Sequence, residues 1–504
     1  MFHLFFNAST YYRGESGELV IEGIKDKSDE TAEQVEELLR GKAEEILKDI
    51  CYGFKETMQY ESYDRVTCRM IYQDAISLLF RMLFFGYAES RGLLPRKEED
   101  SDYKQNSFFK LCAEAKDILN AGKAYDLKNG FDFWNRLDEH LRIYVDQTYN
   151  GGLFSNDDKP VLREYKVANG WIMKCLAEIA YKKDKKTNVY REKIEYKDLS
   201  VRNLGSIYEG LLEFNLFIAE EEMVKRTAKN KTQYFRTSTL TLKKSDEPNL
   251  IKTGDIYLSQ DATERKDTGS YYTPKDVVEY IVSNTVGKKM EELKAELGIL
   301  LQRSYEELAI EPTESGRKRI QQQIDEETLS FIENKNLSLS IIDSAMGSGH
   351  FLVNATYKVA NGIVEILGQN NWETEEEIHV DVGYWKRKVV ENCIYGIDIN
   401  ALAVTLTKLS LWLISANNDK ALSFLDHHLK EGNSIVGTDR YHVKTSGETG
   451  PIFDVSYEEY IAPIKNKYAE LSRVGSLTKE DVERQKEIYS DIESDLELIK
   501  KKYD

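Results

Sequence analysis

The chain has 504 residues, 41% of them hydrophobic, and a formal net charge of −18 at pH 7. That length accommodates two to four domains of about 150 residues each, with ample apolar material for ordinary cores. A surface this acidic does not grip phosphates everywhere, so any DNA contact is expected to be local or to lie on another polypeptide.

No stretch approaches the roughly 18 apolar residues of a membrane span, and MFHLFFNASTYY lacks the basic start and long apolar run of a signal peptide. A soluble, cytoplasmic protein is expected. The five cysteines lie far apart with no C-x-x-C, which fits a reducing compartment and speaks against a zinc ribbon or a disulfide framework. The seven histidines form no H-E-x-x-H. His427 and His428 are adjacent and on a helix would point about 100° apart, so no metal site is expected.

Residues 1–215 read as an α-helical domain. AEQVEELLRGKAEEILKDI (32–50) and YQDAISLLFRMLFFGYAESRGLLP (72–95) have apolar residues three and four apart, and the second is closed by Gly92 and Pro95. KKDKKTNVYREK (182–193) reads as a polar stretch, and VRNLGSIYEGLLEF (201–214) as a further helix. Residues 216–268 read as a β connector, with strands in YFRTSTLTL and GDIYLSQ and a turn at SDEPN between them. From 269 to 445 the pattern is α/β, with a charged helical hairpin inserted over 284–335. Residues 446–504 read as solvated, charged helices, the start of a further insertion.

Within the α/β part, IIDSAMGSGHFLVNA (341–355) passes from an apolar run through a Gly-Ser-Gly turn into a new apolar segment. That pattern is a buried strand, a tight loop and a ligand-binding helix. A P-loop needs G-K-[ST], yet every Gly-Lys here (Gly41, Gly122, Gly287) is followed by Ala or Lys. A dinucleotide fingerprint needs a third Gly where Leu352 stands. S-adenosylmethionine (SAM) remains, a ligand with an ammonium and a sulfonium beside its carboxylate. Asp343 at the strand end suits the positive charge, Gly347 and Gly349 allow close backbone approach, and the helix start near His350 offers N–H groups to the carboxylate. The competing reading is an ordinary tight turn.

ENCIYGIDIN (391–400) reads as a second strand ending in Asp398, placed to accept ribose hydroxyls. LKEGNSIVG (429–437) reads as a third strand end, whose Asn433 offers an amide to an adenine edge or simply makes a turn. TGSYYTPKDVVEYIV (268–282) supplies a helix start, with Thr273 as N-cap, Pro274 as first helical residue, and Tyr271 and Tyr272 beside the ligand or merely packed. E-x-K triplets at Glu195–Lys197, Glu114–Lys116 and Glu292–Lys294 are too common to mark a nuclease.

The order of these motifs resembles the N6-adenine DNA methyltransferases of restriction–modification systems, especially the Type IIG and Type I modification-subunit branch. G-x-Y-Y-T-P stands at Gly269–Pro274, D-x-A-x-G-S-G at Asp343–Gly349, G-I-D-I at Gly396–Ile399, and the G-N-S element at Gly432–Ile435. The resemblance implies an N-terminal helical domain followed by a partial Rossmann-like doubly wound sheet that binds SAM. It implies that Tyr271, Tyr272, Thr273, Pro274, Asp343, Ala345, Gly347, Gly349, Phe351, Asp398, Ile399 and Asn433 line the cofactor site, and that the complete enzyme acts on double-stranded DNA. The family's catalytic motif, Asn/Asp-Pro-Pro-Tyr/Phe, is absent: the seven prolines are all isolated. The expectation is a SAM-binding part that is inactive alone, its catalytic and target-recognition residues supplied by a second polypeptide or lost by truncation. The alternative is a non-catalytic interaction protein of methyltransferase shape.

Overall fold

The computed structural model describes residues 20–60, 63–93, 107–122, 127–144, 156, 159–184, 186–212, 214–228, 231–242, 244–260, 273–368, 381–415, 424–436, 452–475 and 478–503. These divide into two compact units, one within Met1–Ile143 and Gly152–Ser270, the other within Tyr144–Gly151 and Tyr271–Asp504.

The first unit is built on helices α1 (Val20–Met58), α2 (Arg65–Ser90), α3 (Phe108–Ala121), α4 (Asp132–Tyr144), α5 (Pro160–Glu164) and α6 (Asn169–Ala180). Helix α2 is its centre, because its apolar residues run round the whole helix and nearly all of it from Ala75 to Ala88 is buried. Two acids there substitute for backbone partners. Asp74 accepts from Val161 N and Leu162 N at the start of α5, and Glu89 accepts from Phe108 N at the start of α3. The stretch 182–193 is not merely a polar loop. β1 (Tyr181–Lys183) and β2 (Tyr190–Lys193) form an antiparallel hairpin. Its turn is set by Asp184, which accepts from Lys186 N and Thr187 N, and by Asn188 at φ 58°. Lysines on both faces hid the alternation, while buried Tyr181 and Tyr190 anchor it.

Helix α7 (Val201–Leu212) stops before Phe214, which opens β3 (Phe214–Ile218) instead of ending the helix. β3 pairs antiparallel with β7 (Ile256–Gln260). β4 (Met223–Ala228) pairs with β5 (Lys231–Arg236) and β6 (Leu250–Ile251). β5 ends at Arg236, so all of STLTL lies outside strands, and the expected turn at SDEPN is a 3-10 turn.

The second unit opens with α8 (Lys275–Val282), α9 (Lys288–Ile310) and α10 (Glu314–Phe331), the last two forming a helical hairpin. A three-stranded parallel sheet follows in the order β10-β9-β8, with β8 at Ile341–Asp343, β9 at Ile394–Asp398 and β10 at Leu429–Glu431. Helices α11 (His350–Gly368), α12 (Val382–Asn392) and α13 (Ala401–Ser415) connect the strands and pack on them. β8 is not the buried strand that its apolar run suggests: it is an edge strand, Ile341 and Asp343 are half-buried, and Ile342, on the opposite face, is 64% exposed. α14 (Ile452–Leu471) and α15 (Lys479–Tyr503) form a last hairpin. It is more than a solvated tail, because Ile464, Leu471, Val482, Tyr489 and Ile492 bury against Phe424.

His427 lies at that junction, its ring 5.5 Å from Phe424 and 6.4 Å from Tyr489, with His428 4.1 Å away. Burial, then the neighbouring His428 and Lys430, pushes the His427 imidazole down to about 2, and burial pushes His428 down to about 4. Both sites therefore favour the neutral ring, and the unfolded chain binds more protons below the ordinary histidine pKa of about 6.5. Stability is full above that value and falls as pH drops toward 4. Urea denaturation followed through the second unit is expected to show a loss of up to about 2 kcal/mol per histidine between pH 7 and pH 5. His427→Phe is expected to remove its share of that slope; an unchanged slope would contradict the assignment.

Candidate cofactor site at the carboxyl ends of the parallel strands

Because the strands are parallel, Asp343, Asp398 and the turn after Glu431 share one edge of the sheet. The register pairs Asp343 with Gly396 and Asp398 with Glu431. An apolar strand can end in a carboxylate here because the next residues leave the sheet and expose backbone N–H groups. Asp343 Oδ1 accepts from Ala345 N at 3.1 Å. Asp398 Oδ1 accepts from Asn400 N at 2.8 Å, and its Oδ2 from Gly347 N at 2.9 Å.

The loop between β8 and α11 is thus tied to the neighbouring strand. Met346 N donates to Ile397 O at 3.1 Å, Gly349 N to Met346 O at 2.8 Å, and Gly432 N to Asp398 O at 2.9 Å. From α13, Thr407 Oγ1 donates to Gly347 O at 2.9 Å and Ser410 Oγ to Ser348 O at 3.2 Å. Ser434 Oγ donates to Ser344 O at 2.7 Å. The loop's carbonyls and amides therefore have defined partners on three elements.

Two glycines make this path possible. Gly347 and Gly349 have φ of 54° and 85°, a region that costs other residues about 1–2 kcal/mol. A Cβ on Gly349 would also lie 2.8 Å from Thr407 Cγ2. The glycine is needed here for helix-to-loop packing as well as for its backbone angle. Gly396 serves similarly, since a Cβ there would meet Met346 Sδ at 2.3 Å.

The electrostatics are those of two neighbouring carboxylates. Asp343 Oδ2 is buried with no hydrogen-bond partner. Burial raises the Asp343 pKa, the Ala345 N–H opposes that shift, and the nearby Asp398 charge adds to it. A cation placed between the two carboxylates would relieve this. Ile399, 52% exposed beside Asp398, and half-buried Phe351 near the start of α11 add apolar surface.

Three expected details differ. Thr273 is not the cap of α8: Pro274, at ψ 148°, is the N-cap, and its carbonyl accepts from Val277 N and Val278 N. The ring fixes φ while ψ stays extended, which lets the proline end the loop instead of beginning the helix. Asn433 turns inward, its Oδ1 accepting from Ile435 N at 3.0 Å and Val436 N at 2.9 Å, the local turn that Asn side chains readily make. Its carbonyl is thus used by its own loop. Asp398 likewise holds the glycine loop with one oxygen, so a ribose would be met by the remaining lone pairs. Tyr271 and Tyr272 lie outside the described residues.

Thr407, Ser410, Ser434 and Gly396 carry the loop and went unread in the sequence, Gly396 except as a motif letter. Thr407 and Ser410 had a signal, being hydroxyl residues three apart on a mostly apolar helix, and both are buried. Among the described residues no cluster of three or more His, Cys, Asp or Glu could hold a metal, and none of the helices is long and apolar enough to cross a membrane. The E-x-K triplets are spent on ion pairs: Glu195 with Lys197, Glu114 with Arg136, and Glu292 with Lys289.

Gly349→Ala is expected to lower the unfolding free energy of this unit by about 3 kcal/mol, from positive φ and crowding together. Adding Thr407→Ser removes the methyl but keeps the hydroxyl bond and should recover part of the loss, whereas Thr407→Val should recover none. Urea denaturation of the three variants checks this; equal recovery by serine and valine would contradict the packing argument.

Residues 318–434 match the family model "MmeI, DNA-methyltransferase domain". A protein of Methanocaldococcus jannaschii named "Putative type II restriction enzyme and methyltransferase" is 23% identical over 394 residues, 72% of this chain and 27% of that protein. The adenine-specific methyltransferase BrxX of Escherichia coli O9:H4 (strain HS) is 28% identical over 151 residues, 30% of this chain and 11% of that protein. The chain therefore spans about a quarter of the first relative's length and about a tenth of the second's. A solved structure of the Type IIL restriction-modification enzyme MmeI in complex with DNA overlaps with a TM-score of 0.38 at 12% identity, covering 77% of this chain and 40% of that one. The segment from 318 to 434 is thus related to the MmeI-type DNA-methyltransferase domains.

Proposed function

We propose that the second unit binds SAM at the carboxyl ends of β8, β9 and β10, and that the chain is the cofactor-binding part of an adenine-specific DNA methyltransferase of a restriction–modification or phage-defence system. The observation that carries this is the orphaned, buried Asp343 Oδ2, with the Asp398 charge nearby, beside a loop bent by Gly347 and Gly349. In open α/β sheets, ligands bind in the crevice outside the carboxyl ends of the strands. The partly doubly wound, Rossmann-like character belongs to this reading, as does the span of the cofactor domain from 269 to 445.

SAM would supply an electrophilic methyl group carried on a sulfonium. The chain's own residues have three tasks toward it. Asp343 receives positive charge, relieving a carboxylate whose pKa burial raises. The N-terminal turn of α11 offers N–H groups and a positive dipole end to a carboxylate. Asp398, with Ile399 beside it, addresses a ribose and a purine face while keeping Gly347 in place.

The acceptor side is another matter. Adenine N6 shares its lone pair with the ring and is a weak nucleophile. The family's Asn-Pro-Pro-Tyr motif accepts its two N–H bonds and stacks on the flipped base. No Pro-Pro occurs in these 504 residues. The DNA, and the residues presenting an adenine, are therefore assigned to polypeptide beyond this sequence or to a second chain.

Calorimetry with SAM is expected to show one site on the purified chain. Asp343→Asn, nearly isosteric, should weaken that site about tenfold, which is about 1.4 kcal/mol, without lowering the melting temperature, since a buried charge is removed. The chain alone should transfer no methyl group to adenine-containing duplex DNA. A folded preparation with no SAM binding would overturn the cofactor reading and favour a non-catalytic interaction protein; methylation by the pure chain would overturn the account of the missing motif.

A further inference from the structure

Helix α9 is apolar on two faces. One is satisfied: Met290, Leu293, Leu297 and Leu301 are buried, in a hairpin with α10. The other bears a shallow groove of about 550 Å³ running from Ala295 to Ala309. Its residues repeat at seven: Ala295, Gln302 and Ala309 form one line, Gly298 and Tyr305 a second, Ile299 and Glu306 a third. All are exposed, Ile299 to 76%, and the stripe continues into Ile310 at 81%. Elsewhere the hairpin surface carries ion pairs, among them Lys289–Glu292, Arg303–Glu307 and Lys335–Glu296, with Leu300 the exposed apolar residue of α9 off the stripe. A nearly uncharged stripe at heptad spacing on such a helix is the seam of a helix pair that lacks its second strand.

We propose that the second strand is α9 of another copy of this chain, antiparallel and centred on Gln302. Only a self-complementary surface closes on itself around a two-fold axis, and this one is self-complementary in that direction. Pairing about Gln302 sets Ala295 opposite Ala309, so the backbones approach closely at both ends. Ile299 faces Tyr305 of the partner copy, twice, and Gly298 leaves room for Glu306. The two Gln302 amides meet on the axis, where a polar pair fixes register at some cost in stability; in the monomer the Gln302 amide donates to Glu306 Oε1 at 2.9 Å.

Charge selects the same direction. The first half of the helix, 288–301, carries three Lys and three Glu, whereas 303–311 carries Arg303 against Glu306, Glu307 and Glu311. Antiparallel pairing sets the balanced half beside the acidic one and opposes the helix dipoles. Parallel pairing would set acid against acid. The stripe covers about four helical turns, roughly 21 Å at 1.5 Å per residue, well short of a standard interface, so the dimer is reversible.

Sedimentation velocity of the full chain is expected to give twice the monomer mass at about 100 µM and the monomer mass at about 1 µM, the range of a small interface. Ile299→Glu, at an exposed position, should leave the melting curve unchanged and give the monomer mass throughout. Gln302→Cys should form a disulfide-linked dimer under mild oxidation and Glu296→Cys, off the seam, should not; the five native cysteines are buried. A wild-type chain that stays monomeric at the higher concentration would overturn the proposal. So would a dimer that survives Ile299→Glu, and a dimer whose Gln302→Cys form fails to cross-link would overturn the antiparallel register.

Discussion

One carboxylate holds the second unit's site together. Asp398 ends the central strand of a three-stranded parallel sheet, and its two oxygens take the N–H groups of Gly347 and Asn400. The first bond joins the loop after β8 to the strand beside it; the second starts α13. Through α13, Thr407 and Ser410 reach back to the carbonyls of Gly347 and Ser348. The loop is thus gripped from both sides, and its positive-φ glycines are kept in a shape a free Gly-Ser-Gly segment would populate only in part. Charged acceptors make stronger hydrogen bonds than neutral ones, which explains why an acid and not an amide stands at this strand end.

The same arrangement sets a cost that a ligand can relieve. Asp343 lies near Asp398 with one oxygen buried and unpartnered, and its pKa is raised by burial first and by its neighbour's charge last. Buried groups of this kind tend to gather at functional sites. SAM carries two positive groups and no phosphate, so it matches a pair of carboxylates that would repel a nucleotide triphosphate. The acidity of the whole chain says little here; the local pair of carboxylates says more.

Much of this was legible in the residues, for a physical reason: wherever a pattern reported local backbone requirements, it could be read. The strand-loop-helix at 341–355, the strand ending at Asp398, and the three- and four-residue spacing of α1, α9 and α10 all appear where the spacing predicts them. Choices made by tertiary context were not legible. The cap of α8 moved from Thr273 to Pro274, Asn433 turned to its own loop, and Phe214 left its helix for a strand that pairs with 256–260. The lysine-rich hairpin at 181–193 showed no alternation because only Tyr181 and Tyr190 face inward. The last hairpin read as solvated until its sparse apolar residues met Phe424. Thr407 and Ser410 could have been found by asking why an apolar helix keeps two hydroxyls on one face.

The central claim is that one small molecule is recognised at the carboxyl edge of this sheet by a loop already shaped to receive it. Amide hydrogen exchange of the chain, with and without SAM, tests it most directly. The account expects slowed exchange confined to 343–351, 398–402 and 432–436, with the first unit and the α9–α10 hairpin unaffected. Unchanged exchange across 343–351 under saturating SAM, or protection only elsewhere in the chain, would contradict it.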